Sequence, residues 1–254
     1  VVAVLVLTSL AAVSTRDLAA QEMTKLSLEQ YMDIESVSNP QISPDGSRVV
    51  YTRGWIDATN DQRKSSLWMI DIDGTKNRQL EDGGGAQWSP DGTRILYTTG
   101  GEPNGSQIFV RWMDAEGAVS QITRLENGPS NPQWSPDGEW IAFTSRVDEG
   151  ADFAGVQLPR RPDGAKWTGE PKVVERAAYK RDRTGYIDTG WTHLFVVPAE
   201  GGTARQLTDG SWNHSGLSWS PDGREIYFTS HRSDDWDRPD NWQESEVYAV
   251  DFAS

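Results

Sequence analysis

The tetrapeptide Ser-Pro-Asp-Gly occurs four times in this chain, at residues 43–46, 89–92, 135–138 and 220–223. Proline presets φ near −65° at the first central position of a β-turn, aspartate holds the turn through its own backbone, and glycine takes the positive φ that follows. Each turn runs into a short apolar segment: Arg48-Val49-Val50-Tyr51-Thr52, Arg94-Ile95-Leu96-Tyr97-Thr98, Trp140-Ile141-Ala142-Phe143-Thr144 and Glu225-Ile226-Tyr227-Phe228-Thr229. These are rich in β-branched and aromatic residues, the composition of strands. A tryptophan precedes three of the turns, as Trp88, Trp134 and Trp219. The chain is therefore built on a turn-plus-strand repeat.

The serines of successive turns lie 46, 46 and 85 residues apart. A unit in the mid-forties made of strands and turns has the size of one four-stranded antiparallel propeller blade. The second half of each unit recurs as well. Leu67–Ile72 is followed by Asp73-Gly74 and Gln79-Leu80, and Ile108–Met113 by Glu116-Gly117 and Gln121-Ile122-Thr123. Leu194–Val197 is likewise followed by Glu200-Gly201 and Gln206-Leu207-Thr208. Apolar and polar residues alternate only weakly in the first strands, which predicts strands covered on both faces. The expected fold is all-β, a partial β-propeller of about four blades over residues 39–254, with an N-terminal signal segment.

The long interval admits two blades, one without its signature, or one blade with an insertion. Only one further half-blade, His193 to Thr208, lies in it, and residues 149–188 account for nearly all of the excess. An insertion within the third blade is the better reading, and such insertions usually stand on one face of a propeller, often the binding face.

Residues 1–13 are apolar apart from Thr8 and Ser9, too short a run to span a bilayer as a helix. They fit the apolar core of a secretory signal peptide over residues 1–20, cleaved after Ala20. No basic section or initiator Met precedes them, so the segment reads as front-truncated; a buried N-terminal strand is the alternative. Residues 21–38 read as a lead-in helix or turn, with Ser27 as its cap and Glu29 and Gln30 in the first turn. The last unit stops in its third strand, after Glu246–Asp251, and this predicts a chain that continues further. The expected location is exported, periplasmic or secreted.

With 24 basic and 38 acidic residues the net charge is −14, and no Lys/Arg run exceeds two residues. Such a surface repels a phosphate backbone and argues against nucleic-acid binding. The chain has no cysteine, which excludes disulfides, thiolate metal sites and a cysteine nucleophile. Nothing in it predicts a membrane contact beyond the signal segment, or a cofactor.

Catalytic motifs are absent too. A hydrolase serine on a nucleophile elbow needs Gly-x-Ser-x-Gly, with a histidine base later in the chain. Gly128-Pro129-Ser130-Asn131-Pro132 comes nearest, but has proline in place of the second glycine. His193, His214 and His231 sit at a strand start and in loops and are not expected to act as acid–base catalysts. Asp71-Ile72-Asp73-Gly74 opens like a calcium loop without the later bidentate Glu, and aligns with hairpin tips in the other units. Asp234, Asp235, Asp237 and Asp240 read as a solvated loop, with a weak cation contact as the alternative. No metal site is predicted.

The Trp-Ser-Pro-Asp-Gly blades, with Gly201-Gly202-Thr203-Ala204-Arg205-Gln206-Leu207-Thr208, resemble the propellers of TolB-type proteins and of prolyl oligopeptidase family serine peptidases. The lead-in ending Val37-Ser38-Asn39-Pro40-Gln41-Ile42 is similar to the entry into the first blade of the acylaminoacyl-peptidase and dipeptidyl-peptidase-like branch. So are the insertion exit Pro171-Lys172-Val173-Val174-Glu175-Arg176 and the stretch from Ser230 to Val250. TolB proteins place a whole α/β domain before the propeller, and only about twenty residues separate Ala20 from the first blade here. The resemblance implies an N-terminal propeller that gates an α/β-hydrolase domain with a Ser-Asp-His triad. Such an enzyme hydrolyses short peptides of aminoacyl, acylaminoacyl or dipeptidyl type, and none of that domain lies in these 254 residues. It implies a peptide substrate reached through the hydrolase domain, and no catalysis by this chain alone. Within the insertion, Glu175 and Arg176 are the candidate substrate-binding residues, able to pair with a peptide terminus through charge-assisted hydrogen bonds. The other reading is a non-enzymatic, TolB-like periplasmic propeller that binds protein partners.

Overall fold

The computed structural model describes residues 25–114, 117–148, 159–160, 162–167, 174, 179–182, 185–187, 189–232 and 245–252. The expected signal segment, residues 1–20, lies outside them, and among the described residues no helix is long and apolar enough to cross a membrane. Two compact units divide the chain, Val1–Ile34 and Glu35–Ser254. In the first, α1 (Leu28–Met32) carries a capping box: the Ser27 hydroxyl accepts from the Gln30 N–H, and the Gln30 side chain accepts from the Ser27 N–H. Two N-terminal donors that a five-residue helix leaves unpaired are thereby satisfied.

The second unit is a series of antiparallel sheets. Blade 1 consists of β1 (Ser36–Ile42), β2 (Arg48–Asp57), β3 (Gln62–Asp71) and β4 (Arg78–Asp82), hydrogen-bonded in that order. Blade 2 repeats it with β5 (Gly84–Trp88), β6 (Arg94–Gly100), β7 (Ser106–Trp112) and β8 (Val119–Gln121). After β9 (Ser130–Trp134) and β10 (Trp140–Val147), the short β11 (Lys180–Arg181) and β12 (Gly185–Tyr186) form a hairpin of their own. The chain then returns as β13 (Trp191–Pro198) and β14 (Arg205–Gln206) to complete blade 3. β10 pairs with β13 along its whole length, from Trp140 opposite Pro198 to Val147 opposite Trp191, so residues 148–190 are an excursion from a single blade. Blade 4 contributes β15 (His214–Trp219), β16 (Glu225–Ser230) and β17 (Glu246–Asp251).

β1 begins at Ser36, ahead of the Asn39 boundary read from the sequence. Pairing with β2 is interrupted between Ser38 and Gln41, where Asn39 adopts a φ of 55° and Pro40 has no N–H to give. The strand bulges there and continues.

The weak alternation has a clear cause. Val50, Leu67 and Met69 of blade 1 meet Ala86, Trp88, Ile95 and Tyr97 of blade 2 in one core. Leu96, Ile108 and Val110 on the opposite face of blade 2 meet Trp134, Ile141, Phe143 and Val197 of blade 3 in a second. Ala142, Leu194 and Val196 then meet Leu217, Ile226 and Phe228 of blade 4 in a third. Neighbouring residues such as Leu96 and Tyr97 thus serve different cores. Burial of each fully covered side chain contributes about 1.5–3 kcal/mol.

The Ser-Pro-Asp-Gly turns are alike in detail. Ser43, Ser89, Ser135 and Ser220 are buried, and each hydroxyl donates to the turn aspartate, at 2.5, 2.5, 2.5 and 2.7 Å. The same hydroxyls accept the backbone N–H of Arg48, Arg94, Trp140 and Glu225, five residues on. These bonds favour the ionised carboxylate. The serine hydroxyl, foremost, holds Asp91, Asp137 and Asp222 below the usual carboxylate range and Asp45 down to about 2. The turns also lie against one another. A Cβ at Gly92 or Gly138 would come within 3.3 Å of the preceding blade's Pro44 or Pro90 Cδ, and one at Gly223 within 3.6 Å of Pro136 Cδ. Glycine is required here for a φ near +70°, and at Gly92 and Gly138 the neighbouring proline ring also leaves a side chain little room.

Candidate functional site

Register fixes which end of the blades can carry a site. Arg48 opposite Asp71, Arg94 opposite Trp112 and Trp140 opposite Pro198 put the repeated turns and the Asp73-Gly74 type of hairpin tip together at one end. That tip is a plain turn: the Gly74 N–H donates to the Asp71 carbonyl, and the Thr75 N–H and hydroxyl both bind Asp73. Among the described residues no group of three His, Asp or Glu side chains is placed to bind a metal.

The opposite end differs from blade to blade. Blades 1 and 2 close there through short connections, from Asp57 to Gln62 and from Gly100 to Ser106. Blade 3 runs from Val147 to Trp191 and blade 4 from Ser230 to Glu246 at the same end. The long connections of two adjacent blades therefore leave from, and return to, one end. Glu175 and Arg176, the candidate substrate-binding residues, lie outside the described residues, as do Asp234, Asp235, Asp237 and Asp240.

The base of the insertion is firmly built. Arg146 donates from Nε to the Thr189 carbonyl at 3.1 Å and from its guanidinium to the Gly190 carbonyl at 2.9 Å, bridging the two stems. Asn127 Nδ2 donates to the Arg146 carbonyl at 3.1 Å and to Asp148 at 2.9 Å. From blade 4, Asn213 Oδ1 accepts the Thr192 N–H at 2.9 Å. Sequence reasoning missed this clamp, because nothing in Arg146 or Asn127 repeats between blades. Farther out, the β11–β12 hairpin carries Tyr179 and Tyr186 with ring centroids 6.1 Å apart and Lys180 Nζ 5.7 Å from the Tyr186 ring. Lys180, Arg181, Asp182 and Gly185 line an open depression of about 510 Å³, with charged residues of both signs.

His214 and Ser230 stand at the distance of a base and a nucleophile, Nδ1 to Oγ 3.0 Å. Both are 2% exposed, and the Ser230 hydroxyl donates onward to the Asn213 carbonyl at 3.1 Å. A group sealed from substrate and committed to a backbone acceptor is part of the fold, not of a triad. His214 opens β15 and is not in a loop as read from the sequence, because its backbone pairs with Ser230. Burial, followed by the charges of His193 and Arg232, pushes its pKa down to about 4.

Comparison with known proteins follows this layout. A family model described as the dipeptidyl peptidase IV (DPP IV) N-terminal region matches residues 164–254. The uncharacterized peptidase YuxL of Bacillus subtilis is 29% identical over 222 residues, covering 81% of this chain and 31% of the relative. Among solved structures, the acylaminoacyl peptidase of Pyrococcus horikoshii aligns with a TM-score of 0.64 at 15% identity, over 87% of this chain and 31% of that one. A puromycin hydrolase aligns at 0.52 and 14% identity, over 85% of this chain and 30% of its own. At such identities the structural likenesses speak for the fold alone, and this chain spans under a third of each of these three proteins.

Proposed function

We propose that this chain, which is an N-terminal propeller segment of the prolyl oligopeptidase family of peptidases, forms the substrate-filtering part of an exported serine peptidase. Its peptides would be short ones of aminoacyl, acylaminoacyl or dipeptidyl type. The observation that carries the reading is the pairing of sequence matches to peptidases with the long connections of blades 3 and 4 at one end of the blades. In this reading the insertion of blade 3 meets the substrate, with Glu175 and Arg176 pairing with a peptide terminus and the depression at Lys180 and Arg181 drawing in its carboxylate. The 254 residues contain no Gly-x-Ser-x-Gly, so the bond-breaking groups belong to sequence beyond them.

Two measurements test the proposal. The coding frame past Ser254 should encode Gly-x-Ser-x-Gly on a strand-to-helix elbow; a stop after two or three further blades would leave a binding propeller of the TolB kind. In the complete protein, Arg176→Ala and Glu175→Gln should raise KM for a peptidyl nitroanilide several-fold with little change in kcat, since uniform binding is lost and the reacting groups are untouched. A fall in kcat alone would sink the role given to the insertion.

A further inference from the structure

The blade repeat sets a register in which equivalent residues can be compared. Phe109 pairs with Tyr97 in blade 2 and Phe195 with Phe143 in blade 3, so Gln107 and His193 occupy the same place. Both follow one scheme: the next residue's N–H, Ile108 or Leu194, donates to a threonine hydroxyl, Thr123 or Thr208. Likewise Gly84 opposite Thr98, Ser130 opposite Thr144 and Ser215 opposite Thr229 make Gly83, Pro129 and His214 equivalent. Two positions filled by neutral residues in the earlier blades hold imidazoles at the junction of blades 3 and 4. Their rings lie 5.4 Å apart at an interplanar angle of 61°.

The hydrogen bonds decide the tautomer. Ser230 Oγ spends its proton on the Asn213 carbonyl, so it accepts from His214 Nδ1–H. His214 Nε2 then presents a bare lone pair, buried and with no partner within bonding distance. Protonating it places a cation in a buried site beside the Phe228 ring, 4.9 Å away, where the lost hydration outweighs what the Asp209 carbonyl gives back. His193 of β13 and Arg232 beyond β16 add like charge; the Asp209 carbonyl and carboxylate act the other way and more weakly. Ser230 of β16 and Thr208 beside β14 are neutral.

We infer that the His193–His214 pair is an acid-sensitive latch, which holds blade 4 on blade 3 while His214 is neutral and releases their junction when it is protonated. The sign follows from the lowered pKa. The unfolded side chain titrates near 6.5 and the folded one near 4, so the latch is intact above 6.5 and fails progressively as pH falls toward 4. For an exported protein this window lies within the range of acidic surroundings, although the latch itself does not depend on the peptidase reading.

Amide hydrogen exchange of the 254-residue chain at pH 7 and pH 5, corrected for intrinsic rates, tests it directly. Protection of β15 and β16 should fall about twenty-fold more than that of β5 and β6, which is the change in stability for a group titrating at 6.5 unfolded and about 4 folded. His214→Gln should abolish that difference. Should this variant fail to fold, His193→Gln, which installs the residue that blade 2 uses at the same place, should lessen the acid loss. Parallel loss of protection in both pairs of strands overturns the latch. So does a histidine resonance, assigned to His214 by NMR, that titrates between pH 6 and 7.

Discussion

The junction of blades 2 and 3 and that of blades 3 and 4 use the same backbone plan and different side-chain chemistry. At the first, Trp134 is buried, its indole N–H donates to the Gln87 carbonyl of the preceding blade at 3.2 Å, and Arg94 stacks 5.1 Å above its ring. Arg94 also donates to the Gly138 carbonyl at 2.9 Å and pairs with Glu200 at 2.7 Å. Trp88, the Gln41 carbonyl and Arg48 build the same arrangement between blades 1 and 2. At the second junction, Trp140 stands where the others have arginine. Phe252 sits edge-on between Trp140 and Trp219, at 5.0 and 5.3 Å, and the Trp219 indole N–H is buried with no partner. At its tryptophan one junction is fastened by an indole bond and an arginine stack, the other by aromatic packing; the second is tied elsewhere by the histidine pair, by the Thr192 N–H on Asn213 and by Arg205, which donates to the Phe252 carbonyl.

The difference teaches that the conserved-looking letter in a repeat does not fix its energetics. Trp134 and Trp219 occupy one position in the unit, yet only the first gains a hydrogen bond worth about 1 kcal/mol and a cation–π contact of about 1–2 kcal/mol. The exposed Glu200 end of the ion pair adds little beside these.

Five substitutions break or sharpen the contrast. Trp134→Ala should cost about 3–5 kcal/mol in urea unfolding, from lost area, cavity and bond together, while Trp219→Ala should cost about 2 kcal/mol. Equal losses would show that the indole bond and the arginine stack contribute nothing. Arg94→Ala should lower stability by about 2 kcal/mol with little dependence on salt, because the carbonyl bond and the ring contact dominate the exposed pair. A loss that vanishes at high ionic strength would return the weight to Glu200. Trp134→Phe should cost about 1–2 kcal/mol by stranding the Gln87 carbonyl, whereas Trp219→Phe deletes an unpaired donor and should cost less than about 1 kcal/mol. The measurement is the paired difference in denaturation midpoint at unchanged slope.

The smallest effect separates the turns from the histidine latch. A carboxylate whose pKa is lowered on folding stabilises above its unfolded value of 3.8 and loses that contribution as pH falls, for Asp45 toward about 2. Asp45→Asn should therefore flatten the acid limb of stability below pH 4 and leave the region between pH 4 and 6.5 untouched. His214→Gln should do the reverse. A single variant that altered both regions would mean that the two ends of the blades are not independent.

The blade architecture was legible because its cause is local and repeated. A proline, an aspartate and a glycine at fixed offsets dictate a turn, and the strand that follows has nowhere to bury two apolar faces except between like neighbours. Ser27 at the head of α1 was legible for the same reason, since a capping box is written in four consecutive residues. The candidate site was not legible to the same depth. Arg146, Asn127 and Asn213 lie far apart in sequence and repeat nowhere, and only the return of β13 to β10 brings them to the base of the insertion.

The opening tetrapeptide determined the turn and the strand start, because those depend on backbone dihedrals and on a serine and an aspartate two residues apart, and its spacing marked out the units. It also placed a glycine where the neighbouring proline would rest. Whether a blade's tryptophan found a carbonyl, whether arginine or phenylalanine lay over it, and whether two histidines met across a junction were decided by tertiary structure. Those outcomes rest on which side chains the packing of adjacent blades presents to one another, and no single unit of the repeat contains both partners.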